Sequence, residues 1–269
     1  MSKKRLGIGF IGGGFITRFH IQSLIGVRDC DVVGVMSRTR QSAEESAKLA
    51  RTTGVGDASA YDTITDMVAD PKIDALWICS PNFTRIETFE EIAEAVISGK
   101  GKLVGVTCEK PLGRNVAEAK KVLELTQRAG LLDGYLENQV FAPSVTRGKE
   151  IIWARGAATT GRPYLARAAE EHSGPHMPWF WEGELQGGGV LNDMMCHSVE
   201  EARFMLTEPG KHRESLTPLS VNAYTACLKW QQPKYANILS ENSGGKTDYL
   251  KKPSEDFARS LVEYADEDG

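Results

Sequence analysis

The run GFIGGGFITRFH, at positions 9–20, restricts the fold more than any other stretch of the chain. An apolar segment, LGIGFIG, leads into it, and a helical pattern, FITRFHIQSLIGV, leads out. Gly12 and Gly14 occupy the first two places of a G-x-G-x-x-G pattern, and Thr17 stands in the third. A glycine turn between a strand and a helix is the context a dinucleotide requires. Gly12 permits the tight turn, and Gly14 lets backbone come close to a diphosphate. The N–H groups of Phe15 and Ile16 then open the helix toward anionic oxygens.

The segments that follow repeat this alternation. CDVVGVMS, IDALWICSP, KLVGVTCEKP and LLDGYLENQV are short apolar runs of strand character. Between them QSAEESAKLART, TRIETFEEIAEAVISG and NVAEAKKVLELTQRAG show helical spacing, the last with an Asn cap and a glycine stop. Nearly continuous apolar strands alternating with helices predict an α/β unit, a doubly wound parallel sheet covered on both faces, over residues 1–138. Hydrophobic residues make up 41% of the chain, enough for a sizeable core.

The second strand ends at VMSRTR. Where a carboxylate would accept from a ribose 2′-hydroxyl, the chain has Ser37, Arg38 and Arg40. An acid would repel a 2′-phosphate, whereas a hydroxyl and a guanidinium bind one by charge-assisted hydrogen bonds. NADP is therefore the expected cofactor, with NAD as the alternative.

From about residue 139 the rhythm changes, and residues 139–269 read as a second, α+β domain. PSVTRGKEIIWARGA and VLNDMMCHSVEEARFML are predicted helices. RPYLARAAEEHSG and SVNAYTACLKW are predicted strands, and PHMPWFWEGELQGGG is a loop. The final LVEYADEDG is a strand ending on Asp268-Gly269, a hairpin-turn signal with no returning strand, so this domain is expected to be incomplete.

Two further features carry chemistry. Lys110 lies at the tip of an apolar strand, between Glu109 and Pro111, at the edge of a parallel sheet where ligands bind. Pro111 keeps the residue before it extended. Asp193 and His197 are four residues apart and would share a helix face, an orienting carboxylate with a proton carrier. They could also be two zinc ligands, but no third at a suitable spacing accompanies them, and no metal is expected. A surface lysine and a surface Asp–His pair are the plain alternatives. Trp179, Phe180 and Trp181, beside His172 and His176, could stack on a sugar face or pack in a core or interface.

Taken in order, GxGxxx, EKP and GGGxLxDxxxH resemble the Gfo/Idh/MocA family of nicotinamide-dependent oxidoreductases. The resemblance implies a Rossmann domain followed by a domain with a large, open, mainly antiparallel sheet that often serves dimerisation or tetramerisation. It makes Lys110 the active-site lysine, Asp193 and His197 the acid and histidine, and Ser80, Pro81 and Asn82 part of the nicotinamide end of the cofactor site, with Glu109 and Lys110 also among the expected cofactor contacts. Arg85 departs from the histidine many members have there, and Met195 from their glycine. Members usually exceed this chain in length, in keeping with an incomplete second domain.

On this reading hydride moves between NADP, or NAD, and a hydroxyl or carbonyl carbon of a carbohydrate-like small molecule. Either His197 or Lys110 carries the proton. The rival reading is a non-catalytic NAD(P)-binding sensor on the same fold. With 32 basic and 36 acidic residues and no long basic run, neither nucleic acid nor membrane is an expected partner. The start lacks a signal-peptide pattern and no stretch of about 20 apolar residues follows, so a cytoplasmic protein is expected. The five cysteines are scattered and form no C-x-x-C pair, so they read as unpaired thiols.

Overall fold

The computed structural model describes residues 5–175 and 177–267. The chain divides in sequence after Leu136 into two compact units. In the first, β1 (Leu6–Ile11), α1 (Phe15–Ser23), β2 (Cys30–Met36), α2 (Arg40–Thr52), β3 (Ser59–Tyr61) and α3 (Ile64–Ala69) are followed by β4 (Ala75–Ile78), α4 (Arg85–Ile97), β5 (Gly105–Glu109), α5 (Val116–Arg128) and β6 (Leu132–Leu136). The strands form one parallel sheet in the order β3-β2-β1-β4-β5-β6.

Two apolar layers cover this sheet. Ile8, Phe10, Val32 and Val35 pack with Ile21 of α1 and Ala43, Ala47 and Ala50 of α2. Ile11, Leu76, Ile78 and Val106 pack with Met67 of α3, Phe89 and Ile92 of α4 and Leu125 of α5. Burial on both faces is why these strands read as apolar runs rather than alternating ones. Helix starts follow the expected chemistry. The Asn115 side chain accepts the Glu118 amide at 3.0 Å to open α5, and Thr63 does the same for Asp66 in α3.

The second unit contains α6 (Pro143–Ile151), which continues through a π-helical turn, Ile152–Gly156, into α7 (Ala157–Thr160). After it come α8 (Gly183–Gln186), α9 (Val190–Asp193), α10 (Met195–Leu206), β7 (Thr217–Ala226), α11 (Pro233–Asn242) and β8 (Phe257–Ala265). Lys149 donates to the Phe204 carbonyl at 2.7 Å and Trp153 to Met205 at 2.9 Å, so α6 and its extension satisfy carbonyls at the end of α10. Trp181 and Tyr249 are buried with Leu239 against Trp230 in a small aromatic core.

Strands β7 and β8 pair antiparallel as a two-stranded ribbon. The large antiparallel sheet implied by the family resemblance is therefore represented by this ribbon alone among the described residues. Residues 161–175, expected to include a strand, run outside any sheet. Extended backbone becomes a strand only through a ladder partner, and none pairs with it among the described residues. The predicted helix 190–206 is broken at Met194. Helix α11 was not expected, and the terminal Asp268-Gly269 turn lies outside the described residues. No described helix is long and apolar enough to cross a membrane.

Candidate active site

The glycine turn is shaped by close backbone approach. Gly12 has φ +108°, and a Cβ there would lie 2.8 Å from the Cys79 carbonyl group. Its amide donates to Met36 O and the Cys79 amide donates to Ile11 O, both at 2.8 Å, fixing the turn among β1, β2 and β4. Gly13 is also constrained. Its carbonyl accepts the hydroxyls of Ser42 and Ser46, and a Cβ would lie 2.7 Å from Ser42 O. Gly14 differs, with φ −82° and no atom of the described residues within 4 Å of its would-be Cβ beyond its chain neighbours. No described side chain caps α1 there, so its first amides remain available to a ligand. An open cradle at Gly14 before uncapped amides fits a dinucleotide diphosphate. Thr17, in the third motif position, is fully buried and donates its hydroxyl to Gly12 O at 2.7 Å.

Because β1, β4 and β5 are sheet neighbours, Gly12–Ile16, Ser80–Asn82 and Lys110 all emerge at the same carboxyl edge. Phe15 is 79% exposed, whereas Asn82 is buried and the Ser80 hydroxyl is buried without a hydrogen-bond partner among the described residues. Where β2 ends, Arg38 and Arg40 are both exposed but differently engaged. Arg40 is paired with Glu44 at 2.9 Å and Asp62 at 2.8 Å. Arg38 makes no ion pair among the described residues and stands ready for an anion.

Glu109 is buried and both of its oxygens are occupied within the fold. Oε1 lies 2.7 Å from His20 Nε2, and Oε2 accepts the Lys110 amide at 3.0 Å. Through this bond it braces the backbone that presents Lys110. Arg85, also buried, donates to Lys110 O at 3.4 Å, so this departure from the family pattern supports the same residue. The Lys110–Pro111 peptide is cis.

In the second unit, Asp193 closes α9 and His197 lies in the first turn of α10, so the two do not share one continuous helix face. His197 is buried, and its Nδ1 lies 2.6 and 2.7 Å from the two carboxylate oxygens of buried Glu137. Nothing local in the sequence pointed to Glu137, because the partners are 60 residues apart. Glu137, Cys196 and His197 place potential ligand atoms within 4.8 Å of one another, while Cys196 Sγ donates to Asp193 O at 3.3 Å.

A cavity of about 890 Å³ within this unit is lined by Glu170, His172, Asp193, Met195, Phe180 and Trp181, among others. Trp179 and Phe180 stack at 3.8 Å, while Trp181 is committed to core packing. His172 Nε2 lies 3.0 Å from Met194 Sδ, and His176 lies outside the described residues. None of the five cysteines forms a disulfide among the described residues.

The family model for the oxidoreductase family with an NAD-binding Rossmann fold, Gfo/Idh/MocA, matches residues 6–134, and that for its C-terminal domain matches residues 156–266. The chain belongs to the Gfo/Idh/MocA family. Similar Gfo/Idh/MocA proteins include a 1,5-anhydro-D-fructose reductase of Ensifer adhaerens, 29% identical over 202 residues, which are 74% of this chain and 56% of that protein. The myo-inositol 2-dehydrogenase of Thermotoga maritima is 27% identical over 203 residues, 75% of this chain and 55% of that protein. The chain thus spans just over half the length of these relatives. Among solved structures, GenD2 from gentamicin A biosynthesis, in complex with NAD, aligns with TM-score 0.73 and 25% identity over 98% of this chain and 64% of that one.

Proposed function

We propose that the chain is an oxidoreductase that moves hydride between NADP, or NAD, and a CH–OH carbon of a sugar, polyol or similar small molecule. The observation that carries this is the shared carboxyl edge, where an open, uncapped glycine turn, the Ser80–Asn82 segment and a braced Lys110 come from neighbouring strands. Relatives named as sugar and inositol dehydrogenases or reductases supply the substrate class.

Gly12, Gly14 and the amides of Phe15 and Ile16 receive the diphosphate. Ser37 and Arg38 receive a ribose 2′-phosphate, which favours NADP over NAD. Ser80, Pro81 and Asn82 line the nicotinamide end. A bound nicotinamide supplies the hydride acceptor or donor. Lys110 binds the reacting oxygen and polarises it, His197 takes the hydroxyl proton, and Asp193 orients a neighbouring hydroxyl. The first and second units correspond to cofactor-binding and substrate domains divided near residue 138. The protein acts in the cytoplasm as a homodimer or homotetramer.

The test is the absorbance of reduced nicotinamide during incubation with NADP or NAD and a panel of sugars, inositols and anhydrosugars. Turnover of at least one polyol, faster with NADP, is the expected result. Cofactor binding with no turnover across the panel would replace the enzyme by a sensor.

A further inference from the structure

We propose that Glu137 is the positioning residue for His197, fixing its neutral imidazole with the proton on Nδ1 and leaving Nε2 as the proton-accepting atom. The catalytic use of this tautomer rests on the reading of His197 as the proton carrier. The tautomer itself does not.

The geometry leaves little freedom. An ionised carboxylate only accepts hydrogen bonds, and Nδ1 lies within 2.7 Å of both Glu137 oxygens. The proton between them therefore belongs to Nδ1. A neutral imidazole carries one N–H, so Nε2 keeps its lone pair. Both side chains are about 5% exposed, so water does not compete for the contact.

Glu137 is itself held. Its Oε1 accepts the Gln139 amide at 3.0 Å, and the Gln139 side chain donates to Glu170 at 2.8 Å. Immediately beyond, Gln139–Phe141 forms a 3-10 turn and Pro143 opens α6. The carboxylate thus sits on backbone anchored on its C-terminal side. His197 is fixed from the other side by its own amide, which donates to Met194 O at 3.1 Å where α9 breaks from α10.

A base whose second nitrogen is held by a buried carboxylate is oriented before substrate arrives. In the oxidation direction the hydroxyl proton passes to Nε2, the O–H electron pair forms the carbonyl π bond, and the C–H pair leaves as hydride to the nicotinamide. Nδ1–H remains on Glu137, and the imidazolium so formed faces a negative charge.

The competing use of the same atoms is metal ligation by Glu137, Cys196 and His197. A cation there would take the carboxylate lone pairs that now accept Nδ1–H.

The experiment combines imidazole 15N NMR with kinetics. The sequence contains five histidines, and His197→Gln assigns the signals of His197. In the wild type the neutral His197 is expected to carry its proton on Nδ1. Glu137→Ala should release it to the ordinary Nε2–H form and lower kcat about 10-fold to 100-fold with KM little changed. Glu137→Gln, nearly isosteric and still an acceptor, should keep the tautomer and lose less activity, and Glu137→Asp should recover part of the loss. Should Glu137→Ala fail to fold, the wild-type spectrum and the Gln variant decide.

A wild-type proton on Nε2, or full kcat in Glu137→Ala, overturns the proposal. So does a change in the His197 signals on EDTA treatment, which would make Glu137 a metal ligand. If no form of the protein turns over any substrate, the oxidoreductase reading fails and the catalytic use with it. The NMR arm still reads the tautomer.

Discussion

Thr17 donates its hydroxyl to the carbonyl oxygen of Gly12 at 2.7 Å, tying the first turn of α1 to the glycine turn before it. A third glycine in this motif serves close packing of helix on strand. Here a fully buried β-branched residue stands in its place and adds a hydrogen bond.

Replacing Thr17 by Val keeps the shape and removes the donor. The part-buried Gly12 carbonyl then loses this hydrogen bond, and the fold should lose about 0.5–1.5 kcal/mol. Thr17→Ser should cost less. Urea midpoints for the two variants check this, and equal losses would contradict it.

The two motif glycines should fail in different ways. At Gly12 an alanine meets the Cys79 backbone at positive φ, and Gly12→Ala should destabilise the apo protein by about 1–3 kcal/mol. At Gly14 the space is open, so Gly14→Ala should leave apo stability within roughly 1 kcal/mol of the wild type. Dinucleotide affinity should nevertheless fall tenfold or more in Gly14→Ala, which is about 1.4 kcal/mol. Thermal unfolding with and without cofactor separates the two.

Arg38 and Arg40 lie two residues apart, but only Arg38 is without an ion pair among the described residues. Arg38→Ala should weaken NADP(H) about 10-fold to 100-fold, the worth of a charge-assisted contact, and leave NAD(H) nearly unchanged. Arg40→Ala should do much less, because its guanidinium already serves Glu44 and Asp62. Fluorescence titration with both cofactors gives the answer, and equal effects on both would remove the 2′-phosphate assignment.

Lys110→Ala should lower kcat at least 100-fold, roughly the contribution of one positioned catalytic group, while cofactor affinity stays as it was. The brace from Glu109 and Arg85 acts on Lys110 backbone, so it survives the substitution. Stopped-flow turnover beside a binding titration tests it, and wild-type turnover would sink the role.

One stability effect should follow pH. The Asp70 carboxylate accepts the Tyr61 hydroxyl at 2.5 Å and the Lys72 amide at 2.8 Å. These bonds, the Tyr61 contact foremost, hold the Asp70 carboxyl below the ordinary carboxylate range. The folded chain then binds fewer protons than the unfolded chain around and below pH about 4. The resulting stability is present above that range and is lost as pH falls through the lowered value. Tyr61→Phe should therefore cost roughly 1 kcal/mol at neutral pH, with the gap to the wild type closing in acid. A gap that does not change with pH would contradict this.

What could be read from the chain alone was whatever depends on near neighbours. The strand–turn–helix at Gly12, the Asn115 cap and the position of Lys110 at a strand tip all follow from spacing within a few residues. What escaped depends on distant partners. Residues 161–175 have strand composition but no ladder partner in the described structure. Asp193 and His197 have helical spacing, yet the helix is interrupted at Met194 between them. Glu137 follows a strand with no motif around it, and only the fold brings it to His197. The aromatic run 179–181 splits by burial, with Trp181 drawn into the core and its two neighbours stacked on each other.

The His20–Glu109 contact joins α1 to the tip of β5. The helix proposed to receive the diphosphate and the strand that carries Lys110 are thereby fastened by an internal crossbar. On the proposed reading, anchoring the nucleotide and aiming Lys110 would then be coupled through this one contact.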